Sequence, residues 1–131
     1  MVVRTVAMLA ACRQALDLPA DVVLLSGGSS VGRRDYTLQT LERIEHAQLL
    51  AHGVSVRPGK PTILAKKHNT ALFGLPGHAG SAMVIFYLFV RPLLRRLTGR
   101  EPTTGLQRIT AITDQQIPSV IGREDYVRVT L

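Results

Sequence analysis

The chain has 131 residues, 46% of them hydrophobic and 19% charged, and its 16 Lys and Arg against 9 Asp and Glu leave a net charge of +7. That apolar share suffices for a core and excludes intrinsic disorder, because burial offsets the entropy of ordering. The length admits one domain, or one and part of a second, and Cys12, the only cysteine, excludes a disulfide scaffold.

Residues 2–18 carry Val2, Val6, Leu9, Ala10 and Leu16 at helical spacing, and Pro19 stops the pattern. The segment 21–26, with its uninterrupted β-branched and Leu run between Asp21 and Ser26, predicts a central parallel strand covered on both faces. A glycine-rich loop over 27–32 follows. Asp35 then opens a predicted second helix with Leu38, Leu41, Ile44 and Leu49 on one face and Gly53 as its stop. Residues 54–56, 62–66 and 71–75 have strand composition, and 57–61 and 67–70 have turn chemistry, which together predict a hairpin. A second glycine-rich loop, 75–81, leads into an apolar helix over 81–97 in which Pro92 predicts a kink. The apolar stretch 79–90 falls short of the roughly 20 residues a membrane-spanning helix needs and reads as a buried helix. No signal-peptide pattern precedes it, so the cytoplasm is the expected compartment. Residues 108–113 and 125–131 look like two strands of another module, too few for a core of their own.

The positive charge is compatible with nucleic acid, a membrane surface or a phosphorylated small molecule. Basic residues interleaved with aromatics and a helix-turn-helix pattern are both missing, which disfavours nucleic acid. Arg91, Arg95, Arg96 and Arg100 cluster where a predicted helix ends and offset its dipole. Two loops of strand–Gly–helix type are more informative, because backbone N–H groups at such turns favour phosphate and other oxyanions. The glycines alone could equally serve positive φ. Asp35 suits either a helix cap or a metal ligand. Lys60, between Pro58-Gly59 and Pro61, is either an ammonium held by a stiff turn or an exposed turn lysine. The turn is not a Walker A loop, since Pro61 stands where Ser or Thr is required. His46, His52, His68 and His78 show no metal-ligand spacing, and Ser26 lies outside any nucleophile elbow.

Taken together, the segment from Ser26 through Gly27, Gly28, Ser30, Gly32 and Asp35 to Tyr36, the Arg57-Pro58-Gly59-Lys60-Pro61 turn, and the loop from Gly74 through Pro76, Gly77 and Ser81 to Ala82 resemble the molybdopterin molybdenumtransferase family in order and spacing. That family includes the bacterial MoeA proteins and the C-terminal domain of gephyrin. The resemblance implies an α/β fold: part of a MogA-like, molybdopterin-binding three-layer sandwich with a mostly parallel sheet over 1–98, a linker over 99–106, and the first strands of a β-barrel domain over 107–131. It implies that an opening strand, helix and strand would precede Met1, that the barrel would continue past Leu131, and that the isolated chain would have poor activity.

The implied reaction inserts molybdate into adenylylated molybdopterin with Mg²⁺ and releases AMP. By the resemblance, Asp35 and Lys60 would be catalytic, with Asp35 beside the metal. Ser26, Gly27, Gly28, Ser30, Gly32, Arg57, Gly59, Pro76, Gly77, Ser81 and Arg123 would bind substrate. A homodimer, and the molybdopterin adenylyltransferase as a partner, are implied as well. Arg33 replaces a usual Glu, Arg57 a usual Lys, and His78-Ala79 a usual Asn-Pro. These departures favour a second expectation, a catalytically silent binding or scaffold module of the same fold.

Overall fold

The computed structural model of the chain describes residues 2–29 and 36–130. In chain order the elements are α1 (Val2–Leu16), β1 (Val22–Ser29), α2 (Tyr36–Leu41), β2 (Ala47–His52), β3 (Val56–Arg57), β4 (Ile63–Lys67), β5 (Thr70–Pro76), α3 (Ala79–Ile85), α4 (Arg91–Leu97) and β6 (Glu124–Asp125). A π-helical turn, Phe86–Val90, joins α3 to α4 without a break.

Four strands form one sheet in the order β1-β5-β4-β2. The expected mostly parallel sheet is not found: β1 and β5 run parallel, whereas β5–β4 and β4–β2 are antiparallel. The short turn between β4 and β5 explains this. A parallel partner needs a crossover of a dozen or more residues, and a tight turn carrying His68 at φ 50° can only reverse the chain.

Side chains alternate across the sheet and build a core on each face. On one face Ile63 and Ala65 of β4 and Leu72 of β5 pack with Cys12 of α1, Leu41 of α2 and Ile44. On the other, Phe73 and Leu75 of β5 pack with Val56, Ile85 and Val90. Helices therefore cover both faces. The stretch 79–90, expected as a buried helix, is half-buried: Ile85 and Val90 are fully buried but Met83 is 59% exposed.

Other expectations are corrected. The helix predicted from Asp35 to Gly53 ends at Leu41, and its second half is β2. Beyond Leu41 the chain winds through short-range bonds, Arg43 N–H to Thr40 O and Ile44 N–H to Leu41 O, and His46 at φ 62° turns it into the sheet. β1 is an edge strand of the described sheet rather than a central one, with Leu24 exposed. A run of apolar residues reports covered faces and says nothing about paired edges. At Pro92 the predicted kink takes the form of the π turn, in which Arg91 N–H reaches back to Phe86 O just before the residue that lacks a donor.

The sheet does not close into a barrel, and of the strands expected over 108–113 and 125–131 the described residues form only the two-residue β6 that includes Asp125. Glu124–Asp125 alone pairs, in parallel with Val56–Arg57 of β3, and Ile112 and Ile121 are fully exposed. Two isolated apolar runs have no further strands on which to complete a ladder. No helix among the described residues is long and apolar enough to cross a membrane.

Candidate functional site

Sheet register brings three strand ends together. Leu25 of β1 and Ile63 of β4 both face Gly74 of β5, so the C-terminal end of β1, the turn entering β4 and the loop leaving β5 lie at the same end of the sheet. Ser26 pairs with Leu75 and Ser29 with Pro76, and the register shift between them falls on Gly27 and Gly28, which belong to β1 rather than to a loop. Ser30, Gly32 and Asp35 lie outside the described residues. Pro76 is buried at the end of β5, Gly77 is exposed, and Ser81 is half-buried in α3.

The turn from β3 to β4 is tied down at several atoms. Val54 N–H donates to Lys60 O at 3.0 Å, Thr62 N–H to the same carbonyl at 2.9 Å, and Gly53 N–H to Thr62 O at 2.8 Å. Gly59 is buried at φ +137°, and a Cβ there would stand 2.5 Å from Ile85 Cδ1, so the position accepts only glycine. Lys60 and Arg57 are exposed on either side of it.

Arg57, Gly59 and Lys60 line a cavity of about 410 Å³ together with Val54, Val56 and Arg123. Arg123 arrives from far along the chain because β6 pairs with β3: Glu124 N–H donates to Ser55 O at 2.9 Å and Tyr126 N–H to Arg57 O at 2.7 Å. A second cavity of about 570 Å³ shares Val54, Ser55, Val56 and Arg123 and adds Leu88, Phe89, Glu124 and Tyr126. Three cations from two distant segments thus border one continuous cleft.

Asp125 fixes Arg123. Its Oδ1 lies 3.0 Å from Arg123 Nε, and its Oδ2 accepts from Arg123 Nη2 at 3.1 Å and from Ser119 Oγ at 2.6 Å. The Asp125 side chain is only 7% exposed. The hydrogen bond from Ser119, then that from Arg123, hold its carboxyl below the usual carboxylate value. Burial, then donation to Glu124 Oε2 at 2.8 Å, raises the Tyr126 phenol above its ordinary value. A fixed guanidinium beside a free ammonium suits a tetrahedral oxyanion, one group binding in a planar fork and the other as a point charge. Asp125 was missed from sequence. Its position two residues after Arg123 is the separation that puts strand residues on one face, and that was the available signal.

No group of three or more His, Cys, Asp and Glu able to hold a metal occurs among the described residues. The carboxylates at the cleft are both engaged, Asp125 with Ser119 and Arg123 and Glu124 with Tyr126. The described residues do not form a cage for Mg²⁺.

Residues 3–96 match the family described as "Probable molybdopterin binding domain". The chain is 37% identical over 109 residues to a molybdopterin molybdenumtransferase of Haemophilus influenzae, covering 83% of this chain and 26% of that protein. It is 38% identical over 79 residues to the molybdenum cofactor synthesis protein cinnamon of Drosophila melanogaster, covering 60% of this chain and 13% of that one. Among solved structures, the molybdopterin biosynthesis moea protein from Pyrococcus horikosii superposes with a TM-score of 0.60 at 39% identity, covering 71% of this chain and 22% of that one. The chain thus spans about a quarter or less of the length of these relatives. By its sequence over most of its length, and by its fold, the chain belongs to the molybdopterin-binding domain family of molybdenum cofactor biosynthesis.

Proposed function

We propose that this chain carries the oxyanion-handling domain of a molybdopterin molybdenumtransferase, which inserts molybdate into adenylylated molybdopterin and releases AMP. The observation that supports this best is the convergence of Arg57, Lys60 and Arg123 on one cleft at the loop end of the sheet. Every reactant in that step is an anion, and cations gathered at one cleft stabilise the charge as it moves. Lys60 holds a molybdate or phosphate oxygen. Arg57 and Arg123 take adjacent oxygens, with Arg123 oriented by Asp125. Ser26, Gly27 and Gly28 at the end of β1, with Ser30 and Gly32, take phosphate oxygens, and Pro76, Gly77 and Ser81 form the facing wall. Asp35 is the acid of the site. The domain works as a homodimer and receives its substrate from an adenylyl-transfer reaction on molybdopterin, whose enzyme is a partner.

Calorimetric titration of the chain with AMP and with molybdate, with and without Mg²⁺, tests the reading. Both anions are expected to bind, and Lys60→Ala to weaken them by about tenfold or more, the size of a lost charge-assisted contact. Absence of binding by a sample whose circular dichroism and thermal transition show it folded would replace this reading with that of a silent interaction module, the one favoured by Arg33 and His78-Ala79.

A further inference from the structure

We propose that Thr62 is the positioning residue for Lys60, acting through Gly59. This inference rests on the reading of the cleft as an oxyanion site. Thr62 is fully buried, and its Oγ1 donates to Gly59 O at 2.6 Å. Its N–H holds the Lys60 carbonyl, and its own carbonyl is held by Gly53 N–H. The carbonyls of Gly59, Lys60 and Thr62 are therefore all fixed, and Pro61 between them restricts the backbone further. On the opposite side, fully buried Ile85 of α3 lies where a Gly59 side chain would be.

The Lys60 side chain is exposed, and a long flexible stem gives its ammonium little direction of its own. Its placement toward Arg57 and Arg123 follows from where Gly59 and Lys60 put the Cα. The backbone bonds to the Lys60 and Thr62 carbonyls hold that segment, and the Thr62 hydroxyl and the Ile85 side chain are the two side-chain groups that fix Gly59 within it. A hydroxyl at this position, one residue before β4, ties the core to the cleft, and a hydrocarbon of the same size would fill the space without doing so.

A double-mutant cycle read with inorganic molybdate tests this. Lys60→Ala is expected to weaken binding by about tenfold or more. Thr62→Val, close in volume but lacking the hydroxyl, is expected to weaken it by roughly five- to tenfold, and Thr62→Ser to stay within about twofold of the parent. In the Lys60→Ala background, Thr62→Val is expected to add nothing, since an effect exerted through Lys60 vanishes with it. A purely structural Thr62 would lower the thermal midpoint and leave affinity unchanged, or cause the same fractional loss in both backgrounds. Either result overturns the proposal. If Thr62→Val fails to fold, Ile85→Val, which trims the Cδ1 facing Gly59, takes its place in the cycle and is expected to cost about two- to threefold with the same disappearance in the Lys60→Ala background. Equal binding by the parent and Lys60→Ala would instead refute the cleft reading, and this inference with it.

Discussion

Asp125 decides whether Arg123 is a directed donor or a loose surface charge. Because its carboxyl is held below the ordinary value, the folded state favours the ionised form. The clamp's contribution to stability is therefore present above the ordinary carboxylate range and is lost as acid protonates the group in the folded state. Asp125→Asn has no such contribution to lose. Thermal midpoints of parent and variant are expected to differ most at neutral pH and to converge in acid below the ordinary carboxylate range. A difference that stays constant through that range would refute the clamp. At this scale the sequence was partly readable. Lys60 stood out as a cation in a proline-glycine turn, Arg57 and Arg123 were named only through the family resemblance, and all three border the cleft. Asp125 and Thr62 did not stand out, because neither residue type in a strand-like run advertises which atom it will hold once the chain has folded.

Gly74 shows how elements are brought into register. It lies at the row where β1, β5 and β4 meet, and a Cβ there would stand 2.8 Å from Thr37 Cγ2 of α2 and 3.0 Å from Ile63 Cβ. The helix approaches the sheet this closely only over a residue without a side chain. Gly74→Ala is expected to destabilise the fold by about 1–3 kcal/mol, the range for overpacking, measured by chemical denaturation. A smaller loss would mean that α2 can lift away freely. β1, the hairpin of β4 and β5, and the long helix were legible because β-branched runs, turn residues and helical spacing agree there. β2 was not. Ala47, Leu49 and Leu50 are good helix formers, and Leu49 extended the apparent face of Leu38, Leu41 and Ile44. Pairing with β4 overrode that preference, and a bulge leaves Leu50 out of register, 56% exposed. Strand direction was illegible for a related reason: it depends on which neighbours pair, and composition reports only that a segment is extended.

Across the whole molecule, apolar surface is distributed unevenly. Leu49 and Leu50 on the β2 edge, Met83 on α3, and Ile109, Ile112, Ile121, Val127 and Val129 in the C-terminal run are all more than 45% exposed. Surface of that kind, gathered at one sheet edge and one extended run, favours association. The chain is expected to form dimers or larger species in light scattering at high concentration, and Leu50→Lys to shift the distribution toward the monomer. A monomer throughout the concentration range would refute this. The tail has a further consequence. Arg123 is held beside Arg57 by the two-residue β3–β6 ladder, its ion pair with Asp125 lying within its own segment, and the run from Glu101 to Ile121 contains no helix or strand. A protease that nicked this run would leave every strand of the four-stranded sheet covalently whole, and Arg123 would then stay beside Arg57 only for as long as the two-residue ladder held it.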